Sequence, residues 1–271
     1  MSEAITAKEI ERLLHEDLGL SKDKPVIAHV SMSAVGDVRG GPQAVASALL
    51  AAAETVVMPA FTPQTMIIPQ VGPPGNAIEY GKGDSLNAKA EVFRPDLPVH
   101  PDCGSVAEAL REDAESLRSA HPILSFVAQG PKARSILASQ TRENPLGPIA
   151  ALEAFDGAVL LVGVDQRHNY SLHLAEQRAG RKTFTRWALT IDDIEELPHI
   201  PGCMEGFNAV WGEILGLAEV TRIGMARSEL YPLKAMLHYV EERLRQEPNF
   251  MLCEKPSCLS CRTREVRAAH R

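Results

Sequence analysis

Apolar and polar positions change period several times along the chain, and the changes mark out its elements. From Ala7 to Leu18 apolar residues recur every three or four positions among charged ones, predicting an amphipathic helix that ends at the polar turn SKDK. Pro25 to Val30 is a short apolar run, a buried strand. It is followed by a loop of small residues and glycines, HVSMSAVGDVRGG, and a helical pattern from Pro42 to Ala53. A second strand, Thr55 to Met58, runs into the proline-punctuated PAFTPQT. Between Met66 and His100 the periodicity is lost among prolines and glycines, which reads as a long inserted loop over a binding face. Helix resumes at Gly104 to Arg111, strand in LSFVAQG, helix from Pro131 to Ser139, and a turn with a short helix in ENPLGPIAALEAF. Ala158 to Val164 is a further buried strand, leading through a polar loop, with Asn169 as the expected cap, into a helix carrying His173 and Glu176. Beyond Arg181 the pattern predicts a strand near Phe184 to Ile191, an acidic stretch IDDIEE, and then helices through Glu247.

Strands alternating with helices predict an α/β fold, a mixed sheet flanked by helices. The 271 residues fit a single domain, with 66–100 as its inserted loop and 181–271 as a lobe ending in a cysteine-containing tail. No internal repeat is visible. With 45% hydrophobic and 23% charged residues the composition is that of an ordinary soluble globular protein. A net charge of −7 argues against a nucleic-acid binder and leaves room for a cationic substrate. The first residues lack a basic segment followed by an apolar one, and no apolar run reaches the roughly 18 residues a membrane span needs. A cytoplasmic protein, without nucleic-acid or membrane partners, is expected; the sequence leaves the oligomeric state open.

Chemistry concentrates at the end of the Ala158 strand. His173 and Glu176 are three residues apart, so they share one face of their helix near its start, at the carboxyl edge of the sheet where open α/β folds bind ligands. A carboxylate that fixes the tautomer of an imidazole makes a base suited to deprotonating a nucleophile. The loop after the first strand offers backbone amides to a ligand, although it is neither GxGxxG nor a GK[ST] phosphate loop. Cys253, Cys258 and Cys261 have the spacing C-x4-C-x2-C, which suits a structural zinc ion needing a fourth ligand, Cys203 or else His199. Cys103 reads as a buried thiol.

Five stretches in order, HVSMSAVGDVRGG, VVMPAFT, RSAHPILSFVAQG, NPLGPIAAL and LLVGV…NYSLHLAEQRAG, resemble the aminoglycoside 3-N-acetyltransferase family, also called antibiotic N-acetyltransferases. They cover about the first two-thirds of the chain. The resemblance implies an antibiotic N-acetyltransferase-like α/β fold and direct transfer of acetyl from acetyl-coenzyme A to the 3-amino group of 2-deoxystreptamine antibiotics. It further implies that His29, Val30, Ser31, Ser33, Ala34, Val35 and Gly36 meet the pantetheine arm and thioester. Arg118 and Ser119 fall on the coenzyme side, and 181–271 becomes a substrate-side lobe. His173 would be the general base, Glu176 its partner, and amides of Ser31 to Gly36 the oxyanion donors.

The chain also departs from the family pattern. GVDQRHNYS carries Asp165, His168 and Tyr170 in place of common choices, and His168 is a second imidazole near the site. Of the acidic run usual around Pro201 to Phe207 only Glu205 remains; upstream, Asp192, Asp193, Glu195 and Glu196 are read either as the supply of the anionic pocket, with Asp192 and Asp193 the expected contacts, or as a solvated face. The alternatives are an acyltransferase of the same fold acting on another amine, such as a nucleoside, sugar or secondary metabolite, or a non-catalytic coenzyme A-binding protein.

Overall fold

The structure is a computed structural model and describes residues 4–266. Helix α1 (Ala7–Glu16) starts at Thr6, whose hydroxyl accepts from the Glu9 amide while the Glu9 carboxylate accepts from the Thr6 amide; Ile10 and Leu14 turn inward. Strand β1 (Pro25–Val30) ends in a single turn, α2 (Met32–Val35), and α3 (Gly41–Ala52) carries the chain back to β2 (Thr55–Pro59). Within 66–100 the regular pieces are β3 (Met66–Ile67) and α4 (Asp84–Asn87). Next come α5 (Ser105–Glu112), β4 (Leu117–Arg118), β5 (Phe126–Gln129), α6 (Ala133–Ala138) and α7 (Gly147–Ala154). Strand β6 (Ala158–Val162) leads to α8 (Leu172–Arg178), and β7 (Phe184–Leu189) with β8 (Ile194–Ile200) makes a hairpin. The chain closes with α9 (Trp211–Ile214), β9 (Glu219–Ile223), β10 (Ala226–Pro232), α10 (Leu233–Gln246) and α11 (Leu259–Arg264).

Seven strands form the main sheet in the order β4-β5-β2-β1-β6-β10-β9. Its centre is parallel, β1 pairing with both β2 and β6, and its flanks are antiparallel, as the expected mixed sheet requires. Helices α1, α3 and α5 cover one face and α6, α7, α8 and α10 the other. Both faces are therefore dry, which is why β1, β2 and β6 read as continuous apolar runs. Alternation along β1 sends Val26, Ala28 and Val30 to the α3 side and Ile27 to the α8 side. His29 follows Ile27 in this parity, toward α8. Among the described residues no helix is long and apolar enough to cross a membrane.

Across 181–266 the order of elements differs from the expected one. The acidic stretch is not a prelude to helices: Ile194–Ile200 is a strand, and β9 and β10 return the chain to the main sheet, β10 pairing with β6. Strands β3, β7 and β8 form a separate three-stranded sheet to which the insertion contributes β3. The insertion is stitched down along this sheet. Asn76 exchanges side-chain hydrogen bonds with the backbone of Thr185, and the Phe93 amide donates to the Leu189 carbonyl.

Candidate active site

The carboxyl edge of β6 is shaped by Gly163, whose φ of 65° and whose neighbour leave no room for a side chain; a Cβ there would lie 2.4 Å from that of Ala34. This close approach lets α2 abut the loop into α8. The residue before α8 is Ser171, and Asn169 does not cap it: its amide instead donates to Gln166 Oε1 and meets the Met236 sulfur. His173 lies in the first turn of α8, with its Nδ1 2.7 Å from Glu176 Oε2, and both side chains are buried. Two arginines close around the carboxylate. Arg181 donates to Oε1 at 2.6 Å, and Arg264, from the far end of the chain, donates to both oxygens at 3.1 and 3.2 Å. Burial would raise the Glu176 pKa, but the hydrogen bond from His173 and the charges of Arg264 and Arg181 outweigh it and hold the carboxyl below the usual range. An ionised carboxylate only accepts, so the proton between the pair belongs to Nδ1, which leaves Nε2 as the nitrogen that carries the lone pair in the neutral ring.

His173 lines a cleft of about 350 Å³ with Phe61, Met66, Ile123, Tyr170, Met204 and Arg186. The aromatic groups are ordered around the imidazole, Tyr170 with its ring 5.9 Å away, Phe207 edge-on at 4.8 Å, and Phe61 edge-on to Tyr170 at 4.3 Å. Among the described residues no carboxylate lines this cleft. His29 stacks on Tyr170 at 6.1 Å from the sheet side; burial, with the charge of His168, drives its pKa down to about 3, so it is a neutral ring. His168 is half exposed beside Asp165 and does not line the cleft.

The residues expected on the coenzyme side are largely committed to the fold. The amide of Ser31 donates to Val162, those of Ala34 and Val35 to Ser31, and that of Gly36 to Met32. Of the proposed oxyanion donors only the amides of Met32 and Ser33, in the first turn of α2, have no backbone partner among the described residues. Val30 and Val35 are core, while Ser33 is exposed with its hydroxyl 3.0 Å from that of Ser31. Arg118 spends four of its five N–H groups on Ser125 Oγ and the carbonyls of Pro95, Leu97 and Ala60, clasping the insertion to the sheet. Ser119 is buried, exchanging hydrogen bonds with the backbone of Phe126. The expected anionic pocket does not line the cleft either. Asp192 and Asp193 are exposed in the turn between β7 and β8, about 10 Å of strand beyond Arg186. Glu205 is exposed and paired with Lys255 at 2.9 Å.

Cys203, Cys253, Cys258 and Cys261 come together, all four sulfurs lying within 4.8 Å of one another. His199, the alternative fourth member, is exposed on β8 and contacts Thr183 instead. Cys261 is drawn well below the ordinary thiol range, first by its hydrogen bond from Cys203, against the cost of burial and with help from the Cys253 amide and Arg264. Cys103 stands apart, its thiol pushed up to about 12 by burial. Sequence reasoning missed Arg181, Arg186 and Arg264. Arg181 lies five residues past Glu176 and beyond the end of α8, where helical spacing no longer applies, and Arg264, 88 residues from Glu176, carries no local signal.

Residues 27–245 match the family model described as aminoglycoside 3-N-acetyltransferase. Aminoglycoside N(3)-acetyltransferase IX of Micromonospora chalcea is 35% identical over 179 residues, 62% of this chain and 61% of that protein. The SPbeta prophage-derived aminoglycoside N(3')-acetyltransferase-like protein YokD of Bacillus subtilis is 32% identical over 186 residues, 65% of this chain and 68% of its own. The crystal structure of YokD superposes with a TM-score of 0.80 at 26% identity, covering 92% of this chain and 96% of that one. AAC-IIIb, solved as its binary complex with CoASH, gives a TM-score of 0.74 at 24% identity, covering 90% and 97%. In sequence the chain spans about three fifths of the length of the first two curated relatives it matches.

Proposed function

Since the chain belongs to the aminoglycoside 3-N-acetyltransferase family, we propose that it transfers acetyl from acetyl-coenzyme A to an amine, the family's own acceptor being the 3-amino group of a 2-deoxystreptamine antibiotic. The observation that carries this reading is the His173–Glu176 pair, with Nδ1 tied to the carboxylate and the ring on the cleft wall. An aminoglycoside amine is largely protonated near neutrality, and only its neutral form attacks a thioester. His173 Nε2 takes the amine proton, the nitrogen bonds to the acetyl carbon, and the thiolate of coenzyme A leaves. Glu176, kept ionised by its arginines, stabilises the imidazolium that results. The CoASH complex of AAC-IIIb supports acetyl-coenzyme A as the donor. On this reading the Met32 and Ser33 amides receive the oxyanion, and Arg118 and Ser119 act by shaping the coenzyme side rather than by touching it. Thiol release from acetyl-coenzyme A with an aminoglycoside panel tests the proposal. His173→Ala should lose about 100- to 10,000-fold in kcat while coenzyme binding persists; unchanged turnover would sink the base assignment.

The cleft itself favours a second reading of the acceptor. Its walls are apolar and aromatic and Arg186 is its cation, so a less highly charged amine fits them better than a polycationic antibiotic. Asp192, Asp193 and Glu205 then attract a cation only at long range. A higher kcat/KM for monoamines than for aminoglycosides would select this acceptor.

We also propose that the four cysteines hold zinc. Tetrahedral thiolate ligands about 2.3 Å from the metal stand about 3.8 Å apart, so sulfurs already within 4.8 Å need only a small contraction. Four thiolates make a closed, structural set. Cysteines free of disulfides fit a reducing, cytoplasmic setting.

A further inference from the structure

The four-cysteine cluster and the His173–Glu176 pair are joined by one short element. Cys258 precedes α11, Cys261 is one turn on, and Arg264 another, so the three share a face of the helix. Two members of that face contribute sulfurs to the cluster, and the third reaches the carboxylate on α8. Arg264 is held on both sides. One guanidinium nitrogen donates to Glu176, the other to the Cys203 carbonyl at 2.8 Å and lies 3.6 Å from the Cys261 sulfur. Its side chain is only 1% exposed, and its Nε has no partner among the described residues. The facing loop is shaped to it, since a Cβ on Gly202 would come within 2.6 Å of the guanidinium carbon, and the Ser260 hydroxyl receives the Cys203 amide at 3.0 Å.

A six-residue helix has too few hydrogen bonds to hold itself together, so α11 keeps its place through its contacts: Arg264 on Glu176 and the Cys203 carbonyl, Arg262 on the Cys253 carbonyl, and the Val266 backbone with Asn249. The cluster of sulfurs is the anchor that ties α11 to two other places in the chain at once, the loop after β8 and the segment after α10. Its geometry fixes the distance between α11 and the Cys203 loop, and with it where the guanidinium lies relative to Glu176.

We infer that metal bound by Cys203, Cys253, Cys258 and Cys261 is a clamp on the catalytic pair: it places Arg264, a positioning residue, against Glu176 and so sets the orientation of the His173 ring. The inference rests on the proposed zinc site and on the proposed role of His173, and it adds to both that losing the metal disables the base without removing it. Metal loss loosens α11, Arg264 draws away from the carboxylate, and of the two arginines only Arg181 still holds Glu176. The carboxylate then turns, and the imidazole turns with it.

The test uses the full-length protein under reductant, zinc-loaded, stripped with a chelator, and reloaded with zinc, together with Arg264→Gln and Arg264→Lys, with metal content measured in each. Turnover is one readout; the other is the NMR signal of the His173 Nδ1 proton, assigned by its absence in His173→Ala. Stripping and Arg264→Gln should each lower kcat about 10- to 100-fold with the KM for acetyl-coenzyme A preserved. Both should shift or broaden the Nδ1 proton signal; zinc should restore the stripped protein, and Arg264→Lys should lie between. Arg264→Gln that keeps zinc, full kcat and an unmoved signal overturns the inference. So does a protein that takes up no metal, which also ends the zinc proposal. If no amine is acetylated yet the signal moves on stripping, the clamp stands and the transferase reading falls.

Discussion

Glu176 is the residue on which the site turns, because its charge must survive burial. Its folded pKa is depressed, so the folded protein keeps it ionised at a pH where the unfolded chain has already taken up a proton. The resulting stability is fully present above the unfolded value of about 4.3 and is lost as the pH falls through the folded one. Glu176→Gln should therefore be less stable than wild type by a constant amount from neutral pH to about pH 5, with the gap narrowing below about pH 4. Urea denaturation across that range measures it; a gap that widens toward acid would mean that burial, not the arginines, sets the titration. The pair itself was legible in sequence, since three residues on a helix is a local geometry. Its two arginine partners were not read: Arg181 lies beyond the helix end, and Arg264 arrives through the fold.

Elements with strong periodicity were legible and those with mixed faces were not. Strands β1, β2 and β6 announce themselves because burial on both faces makes them continuously apolar. Strand β8 and the edge strand β9 expose much of their length, so Glu195, Glu196 and Glu219 read as an acidic linker and helix surface. The insertion was legible as a break in pattern, but its attachment was not, because it depends on backbone carbonyls that any residue supplies. Arg118 collects those carbonyls and stacks its guanidinium 5.6 Å from the Phe93 ring centre. Arg118→Met, which keeps the apolar stem, should cost about 1–3 kcal/mol by taking this donor from the Pro95 and Leu97 carbonyls, while the Ala60 carbonyl keeps the Ser125 hydroxyl. Limited proteolysis should then cut first between 66 and 100. Cleavage unchanged in rate and place would show that the clasp does not hold the insertion.

For the molecule as a whole, two buried imidazoles set how stability responds to mild acid. His29 and His121 both have pKa values lowered to about 3, in each case first by burial and then by a neighbouring positive group, His168 or Arg142. His121 shows why its neutral form is required, since Nδ1 accepts from the amides of Ile123 and Leu124 at 3.2 and 3.0 Å and a proton there would break both bonds. In the unfolded chain each ring titrates near 6.5, so below that pH the unfolded state binds protons that the folded state refuses. Stability is thus complete above about pH 6.5 and declines as the pH falls toward the folded values, by about 1.4 kcal/mol per pH unit for each ring. The residue that separates this cause from carboxylate protonation is His121. Asparagine places an oxygen near the position of Nδ1 and can accept the same two amides without titrating. His121→Asn should accordingly be somewhat less stable at pH 7.5, where the ring's packing is lost, yet show a shallower decline between pH 6.5 and 5, by about 1 kcal/mol per pH unit. Urea midpoints at four pH values decide it. Parallel declines in wild type and variant would mean that the imidazole already accepts its proton in the folded state, and that the turn bearing Ile123 and Leu124, both on the cleft wall, opens in mild acid.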